Sequence, residues 1–452
     1  MKAINPASGQ PIRDYPEHTT DEVERRLERA AGTFRSWRST SFDERARPLR
    51  RAADALRGGK DHLARLMTEE MGKPIGQAEA EVEKCAWACE HFAEHAERLL
   101  APEAISTDAS RSLVRCDPLG PILAVMPWNF PFWQVFRAAA PALMAGNVLV
   151  LKHASNVPGC ALAIERVFEQ AGFPAGAFTT LLVPASVAET IVDHPAIQAV
   201  TLTGSEAAGV SLASRAGRAL KKTVLELGGS DAFIVLADAD PAEAVVQATA
   251  SRLVNNGQSC IAAKRFIVEE PLAERFESLF AQQMARQRVG DPLDRATELG
   301  PLARADLVDE LDRQVRGSLK LGAHLATGGT RPSRSGFFYV PTVLTRVRPG
   351  MPVFDEETFG PVAAVARARD TEHAIELANR SRYGLGASLW TADAARGEAL
   401  AAEIDAGMVF VNGPVKSDPR LPFGGIKRSG YGRELAIVGI REFVNLKTVW
   451  VK

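Results

Sequence analysis

Between residues 121 and 203 the chain alternates short, unbroken apolar runs with helical segments, and this alternation most narrows the folds open to it. The runs are Ile122-Leu123-Ala124-Val125, Asn147-Val148-Leu149-Val150-Leu151, residues 179–183 and Ala199-Val200-Thr201-Leu202. Each is too short for an ordinary helix and too uniformly apolar for a strand with one wet face. Strands buried on both faces belong in a parallel sheet covered by helices, here expected over 131–144 and 158–171. A second alternating half begins near Glu226, with strands at Phe233-Ile234-Val235-Leu236, Arg265-Phe266-Ile267-Val268 and Met408-Val409-Phe410-Val411. Residues 20–100 read as helices, with a capped start at Thr20-Asp21-Glu22-Val23. The predicted class is α/β, with two doubly wound parallel-sheet domains.

Composition excludes several functions. A formal net charge of −1 leaves no electrostatic footprint for nucleic acid. The run Arg45-Ala46-Arg47-Pro48-Leu49-Arg50-Arg51 has acidic neighbours and is expected to be a solvated helix face. The longest apolar run, Trp133 to Leu151, contains Gln134, Arg137, Pro141, Gly146 and Asn147, which reads as a buried helix and strand rather than a membrane span. The start Met1-Lys2-Ala3-Ile4-Asn5-Pro6 has no apolar core, so no secretory leader is expected. Five cysteines without framework spacing point to a reducing compartment, and the expected location is the cytoplasm. Cys85, Cys89, His91 and His95 suggest a metal cluster. On one helix, at about 100° per residue, the histidines fall about 240° to 280° round from Cys85, so no metal is expected.

Cys260 follows Asn255-Asn256-Gly257-Gln258-Ser259 and precedes a strand. A thiolate there could attack a carbonyl carbon, although a lone cysteine is more often an inert buried hydrophobe. Upstream, Leu225-Glu226-Leu227-Gly228-Gly229 supplies a carboxylate able to act as a base. Asn129 in Pro127-Trp128-Asn129-Phe130-Pro131 can donate to an oxyanion, or simply form a turn. Gly204-Ser205-Glu206-Ala207-Ala208-Gly209 opens a helix after a strand. Its N–H groups suit a phosphate, but the stretch lacks a dinucleotide fingerprint. Lys152 ends a strand, where its ammonium could meet ribose or phosphate. In Glu356-Glu357-Thr358-Phe359-Gly360-Pro361, a carboxylate and a ring could hold a nicotinamide riboside, or form an acidic loop with a core phenylalanine.

Together these stretches, with Leu202-Thr203-Gly204-Ser205 and Pro422-Phe423-Gly424-Gly425-Ile426-Lys427-Arg428-Ser429-Gly430, resemble the aldehyde dehydrogenase superfamily in order and separation. The resemblance runs from near residue 5 to the C-terminus. It implies that Cys260 attacks an aldehyde, that Asn129 and the Cys260 N–H hold the oxyanion, and that Glu226 activates water to hydrolyse the thioester. It puts Trp128, Gly204, Ser205, Gly209 and Leu227 in the cofactor site, Lys152 near the adenosine ribose, Glu357 on the nicotinamide ribose and Phe359 against the nicotinamide. The implied layout is a cofactor domain of residues 1–100 and 119–227, a catalytic domain of 228–435, and a small β oligomerisation segment of 101–118 and 436–452. The implied assembly is a homodimer or homotetramer. A cofactor-independent cysteine hydrolase would also use Cys260 but would not need Lys152, Glu357 and Phe359. A structural relative would be free to lose Cys260 or Glu226. An enzyme passing the acyl group to coenzyme A would tend to lack Glu226.

Within this resemblance, Lys152-His153-Ala154-Ser155 favours NADP, with NAD as an alternative or shared cofactor. NAD-preferring relatives often carry glutamate where Ser155 stands, whereas serine can donate to a 2′-phosphate, and Lys152 and a protonated His153 would add positive charge. The expected substrate is a short aldehyde bearing a carboxylate, most of all succinate semialdehyde, with another short aliphatic or carboxylated aldehyde as the alternative. Trp133 and Arg137 follow Asn129 in steps of four, on one helix face. An Arg137 guanidinium in an apolar run needs a partner, either a substrate carboxylate or a protein one. Lys152-His153-Ala154-Ser155-Asn156-Val157-Pro158 and Asn412-Gly413-Pro414-Val415-Lys416-Ser417-Asp418 resemble the bacterial succinate-semialdehyde branch, which makes Ser417 a second donor.

Overall fold

The computed structural model describes residues 1–452. The expected alternation forms a sheet of parallel strands Lys222–Glu226, Ala199–Thr203, Pro121–Met126, Val148–His153 and Phe178–Thr180, edged by the antiparallel pair Gly430–Tyr431. Register sets Val125 opposite both Lys152 and Leu202, and Thr203 opposite Glu226. The turn after Met126, Lys152, Gly204 and Glu226 therefore gather at the carboxyl edge of one sheet, where open α/β sheets bind ligands. A second sheet runs His324–Thr327, Thr342–Thr345, Val362–Ala368, Arg265–Glu269, Ala232–Val235, Gly386–Trp390 and Met408–Val411, parallel except for the first pair. Glu103–Ala104, Arg111–Pro118 and Val444–Val451 make a small antiparallel sheet.

Some local expectations shift. The first long helix, Thr20–Trp37, is capped one residue earlier, by Thr19: its hydroxyl accepts from the Glu22 N–H, and Glu22 returns a bond to the Thr19 N–H. The strand expected at 179–183 ends at Thr180, because Leu182 bonds to His18 instead of a sheet neighbour. Arg45 is not solvated. It is buried and donates to the Met144 and Thr40 carbonyls, while Arg47, Arg50 and Arg51 stay exposed. Arg45 thus closes the carboxyl end of the helix Trp133–Met144, as Arg51 does for Pro158–Gln170 through the Ala171 carbonyl.

The helix Trp133–Met144 is buried at every position and has no local cap. Its N-terminus is satisfied by Glu81, which lies on the helix Ile75–Leu99. One carboxylate oxygen accepts from the Phe132 and Trp133 N–H groups at 2.9 Å each, and the other pairs with the buried Lys73. Glu81→Ala removes the cap and strands an ammonium in the core. It should cost about 3–5 kcal/mol, read as a lowered midpoint in urea or thermal unfolding; a change under about 1 kcal/mol would show that water replaces the carboxylate.

Candidate active site

The nucleophile candidate sits on a loop held by unusual backbone. Asn255, Asn256 and Gly257 are successively left-handed, at φ 55°, 59° and 75°. Asparagine tolerates this conformation, and at Gly257 a side chain would meet the Gly360 carbonyl oxygen at 2.3 Å. The amides then lock the turn. Asn256 donates to the Gly72 and Pro301 carbonyls and accepts from the Gly300 N–H; Asn255 donates to the Asn129 and Gln258 carbonyls. Asn129 Nδ2 donates to the Gln258 carbonyl at 3.1 Å, which ties the oxyanion candidate to the loop two residues before Cys260 and leaves its second N–H hydrogen for another acceptor.

Lys264, which the sequence reading missed, completes the loop. Its fully buried ammonium donates to the Ser259, Cys260 and Ala262 carbonyls at 2.7–3.0 Å. Glu357 lies 3.9 Å away and accepts from the Gly229 N–H. Burial pushes the Cys260 thiol up to about 12, with Arg137 and Lys264 partly opposing. Burial also holds the Glu226 carboxyl well above the usual carboxylate range, reinforced by Glu434 and opposed by Arg137 and Arg433. Neither Glu226 oxygen has a hydrogen-bond partner, so both are available to a water or a thiol.

A cavity of about 780 Å³ is lined by Cys260, Phe130, Trp133, Arg137, Lys84 and Ser417, among others. Arg137, however, has a protein carboxylate: Glu434 pairs with its Nε, and its Nη2 reaches Thr203 Oγ1 at 3.4 Å. Of the two partners open to this guanidinium, a substrate or a protein carboxylate, the fold supplies the protein one. Its ring-stacking partner is Phe423, with 4.3 Å to the centroid, and Nη1 makes no hydrogen bond within the protein. Sequence spacing could not reveal Glu434, which lies far along the chain. Ser417 Oγ accepts from Lys84 Nζ at 2.7 Å, another contact across a large sequence separation.

The cofactor candidates gather at the edge of the first sheet. Lys152 is buried and makes no ion pair, and Ser155 is exposed just beyond it. His153 departs from expectation: it is buried, donates from Nε2 to the Pro131 carbonyl at 2.8 Å, accepts at Nδ1 from the Ala154 N–H at 2.9 Å, and is pushed down to about 4 by burial, so it braces the Asn129 turn and adds no charge for a phosphate. Ser205 caps the helix Glu206–Arg218 by accepting from the Ala208 N–H. Gly209 faces Leu227, whose side chain would be 2.6 Å from an added Cβ; this glycine lets helix and strand end approach. The Trp128 and Phe359 rings meet edge to face at 5.8 Å. A buried ammonium without an ion pair, a helix start at which Ser205 takes only the Ala208 N–H, and the Trp128–Phe359 ring pair fit a nicotinamide dinucleotide.

Comparison with known proteins agrees with this chemistry. The model of the aldehyde dehydrogenase family matches residues 1–449. The chain belongs to the aldehyde dehydrogenase family. Its reaction is oxidation of an aldehyde to the acid. It is 54% identical over 451 residues to a probable succinate-semialdehyde dehydrogenase [NADP(+)] of Synechocystis, covering 100% of this chain and 99% of the relative. It is 51% identical over 454 residues to succinate-semialdehyde dehydrogenase [NADP(+)] 1 of Mycobacterium tuberculosis, with 100% and 99% covered. A solved succinic semialdehyde dehydrogenase from Streptococcus pyogenes, in complex with NADP+, superposes with a TM-score of 0.97 at 38% identity, covering 100% of this chain and 99% of that one.

The raised Cys260 thiol gives a pH signature. In the cofactor-free enzyme the rate of iodoacetamide labelling at Cys260, followed by peptide mass spectrometry, should keep rising through pH 10. A plateau near neutral pH would mean that the thiolate is already formed.

Proposed function

We propose that this aldehyde dehydrogenase oxidises succinate semialdehyde to succinate with NADP, NAD serving as a weaker or shared cofactor. The observation that carries this reading is the cavity wall, where Arg137 and Ser417 accompany Cys260 and offer a carboxylate polar donors. The names of the relatives from Synechocystis and Mycobacterium support it.

In this reading Cys260 Sγ adds to the aldehyde carbon while the Cys260 N–H and Asn129 Nδ2 stabilise the oxyanion. A nicotinamide held by Glu357 and Phe359 would supply the hydride acceptor that oxidation of this carbon requires. The resulting Cys260 thioester is then hydrolysed: Glu226 takes a proton from water, the hydroxyl adds to the carbonyl, and the thiolate leaves. Lys152 and Ser155 would hold the adenosine ribose and its 2′-phosphate; Trp128, Gly204 and Ser205 the pyrophosphate; and Glu357 and Phe359 the nicotinamide riboside. Exposed Leu446, Trp450 and Val451 on the small sheet support assembly as a homodimer or homotetramer. The proposed location is the cytoplasm, as the five cysteines without framework spacing suggest; no helix is long and apolar enough to cross a membrane.

The test is a panel of aldehydes assayed with each nicotinamide cofactor. Succinate semialdehyde should give the highest kcat/KM, and a preference for butanal would remove the substrate assignment. Cys260→Ala should abolish cofactor reduction, whereas Glu226→Gln should give a burst of reduced cofactor followed by slow turnover. Ser155→Glu should move the NADP-to-NAD ratio of kcat/KM toward NAD by about tenfold or more, a difference of ~1.4 kcal/mol. An unchanged ratio would show that Ser155 does not read the ribose.

A further inference from the structure

Lys84 is a partly buried cation in the Cys260 cavity that the protein itself leaves without a counter-ion, whereas Lys416, also unpaired there, is exposed to solvent. It lies on the helix Ile75–Leu99, one turn after Glu81 and Ala80 and two after Gln77, all of which line the same cavity. Its ammonium stands 4.3 Å from the Trp133 ring centroid and 2.7 Å from Ser417 Oγ, and it forms no ion pair. Both nearby acids are taken. Glu81 holds Lys73 and the Phe132 and Trp133 N–H groups. Asp418 is gripped by the Arg420 guanidinium at 2.6 and 2.9 Å and by the Arg420 N–H. Arg137, the other cation deep in this wall, already pairs with Glu434.

A half-buried ammonium without an anion carries a desolvation cost that a ligand's negative charge would relieve. Because Ser417 Oγ accepts from Lys84, its own hydroxyl proton is free to point onward, so two donors sit side by side. We infer that Lys84, together with Ser417, is the specificity pair that binds the distal carboxylate of the substrate, with the Trp133 ring fixing the ammonium. This deepens the proposed succinate-semialdehyde activity and rests on it. The pair gives the enzyme a reason to prefer an aldehyde acid to the plain aldehyde of equal length: without a carboxylate, Lys84 stays half-buried and uncompensated.

Burial lowers the Lys84 ammonium to about 8, with Arg137 on the helix Trp133–Met144 acting in the same direction. Glu81 and Cys85 on its own helix and Asp418 on the facing loop oppose the shift. The charged form exists below this value, so carboxylate binding should weaken as pH rises through it.

The experiment compares wild type, Lys84→Met and Lys84→Arg on succinate semialdehyde and butanal, with succinate binding measured by calorimetry. Lys84→Met should lower the kcat/KM ratio of succinate semialdehyde to butanal by about 10- to 100-fold, mainly through KM, as for the loss of one charge-assisted bond. It should weaken succinate binding to a similar degree, and Lys84→Arg should recover part of both. In wild type KM for succinate semialdehyde should climb above pH 8, and this rise should vanish in Lys84→Met. An unchanged ratio, an equal loss on both aldehydes, or a retained pH rise would overturn the assignment. If wild type prefers butanal, the proposed substrate fails, and succinate binding still judges Lys84: equal affinity in wild type and Lys84→Met, or none in either, overturns it.

Discussion

The catalytic loop is assembled around the ammonium of Lys264. Residues 259–262 turn through the interior with carbonyls that no strand or helix can satisfy, and Lys264 Nζ donates to three of them. Its backbone meanwhile bonds to Asp231 and Ala364 in the second sheet. One residue thereby welds the Cys260 turn to the rigid sheet. Burial pulls the ammonium below the usual lysine range, but Glu357 and Asp231 oppose this. Glu357 is also a cofactor candidate, so the support of the nucleophile and the proposed nicotinamide site share one carboxylate.

A second economy of charge surrounds Glu226. Glu226 and Glu434 are both buried and both held above the usual carboxylate range by that burial, while Arg137 opposes the shift in each. Two carboxylates near one guanidinium favour a shared proton over two full charges. Arg137 also opposes the upward shift of the Cys260 thiol. The same side chain thus biases base and nucleophile while it lines the substrate cavity.

Helices around the site are finished by side chains from elsewhere in the chain. Glu81 caps Trp133–Met144 and Glu70 caps Pro158–Gln170, accepting from the Gly159 and Cys160 N–H groups, while Arg45 and Arg51 close the opposite ends. Opposite charges at opposite termini satisfy orphan backbone groups and the helix dipole together. This arrangement keeps the Asn129 turn in place, since it lies between a strand end and a helix start that are both anchored.

The sequence by itself determined the parallel-strand core, because double burial leaves its mark as short unbroken apolar runs, and it marked Cys260, Glu226 and Asn129 through local motifs at turns. It erred or fell silent where a charge finds its partner across the chain. Arg45 looked like a solvated neighbour of acids and became a buried helix cap; His153 looked like an added positive charge when protonated and became a brace; Arg137 gained Glu434; Lys264 and Lys84 gave no signal at all. Backbone pattern is written in near neighbours, with a period that the eye can follow. The partner of a buried charge is fixed only when distant segments meet, because desolvation then demands an opposite charge or a carbonyl within hydrogen-bond reach, and only the tertiary structure decides which one supplies it.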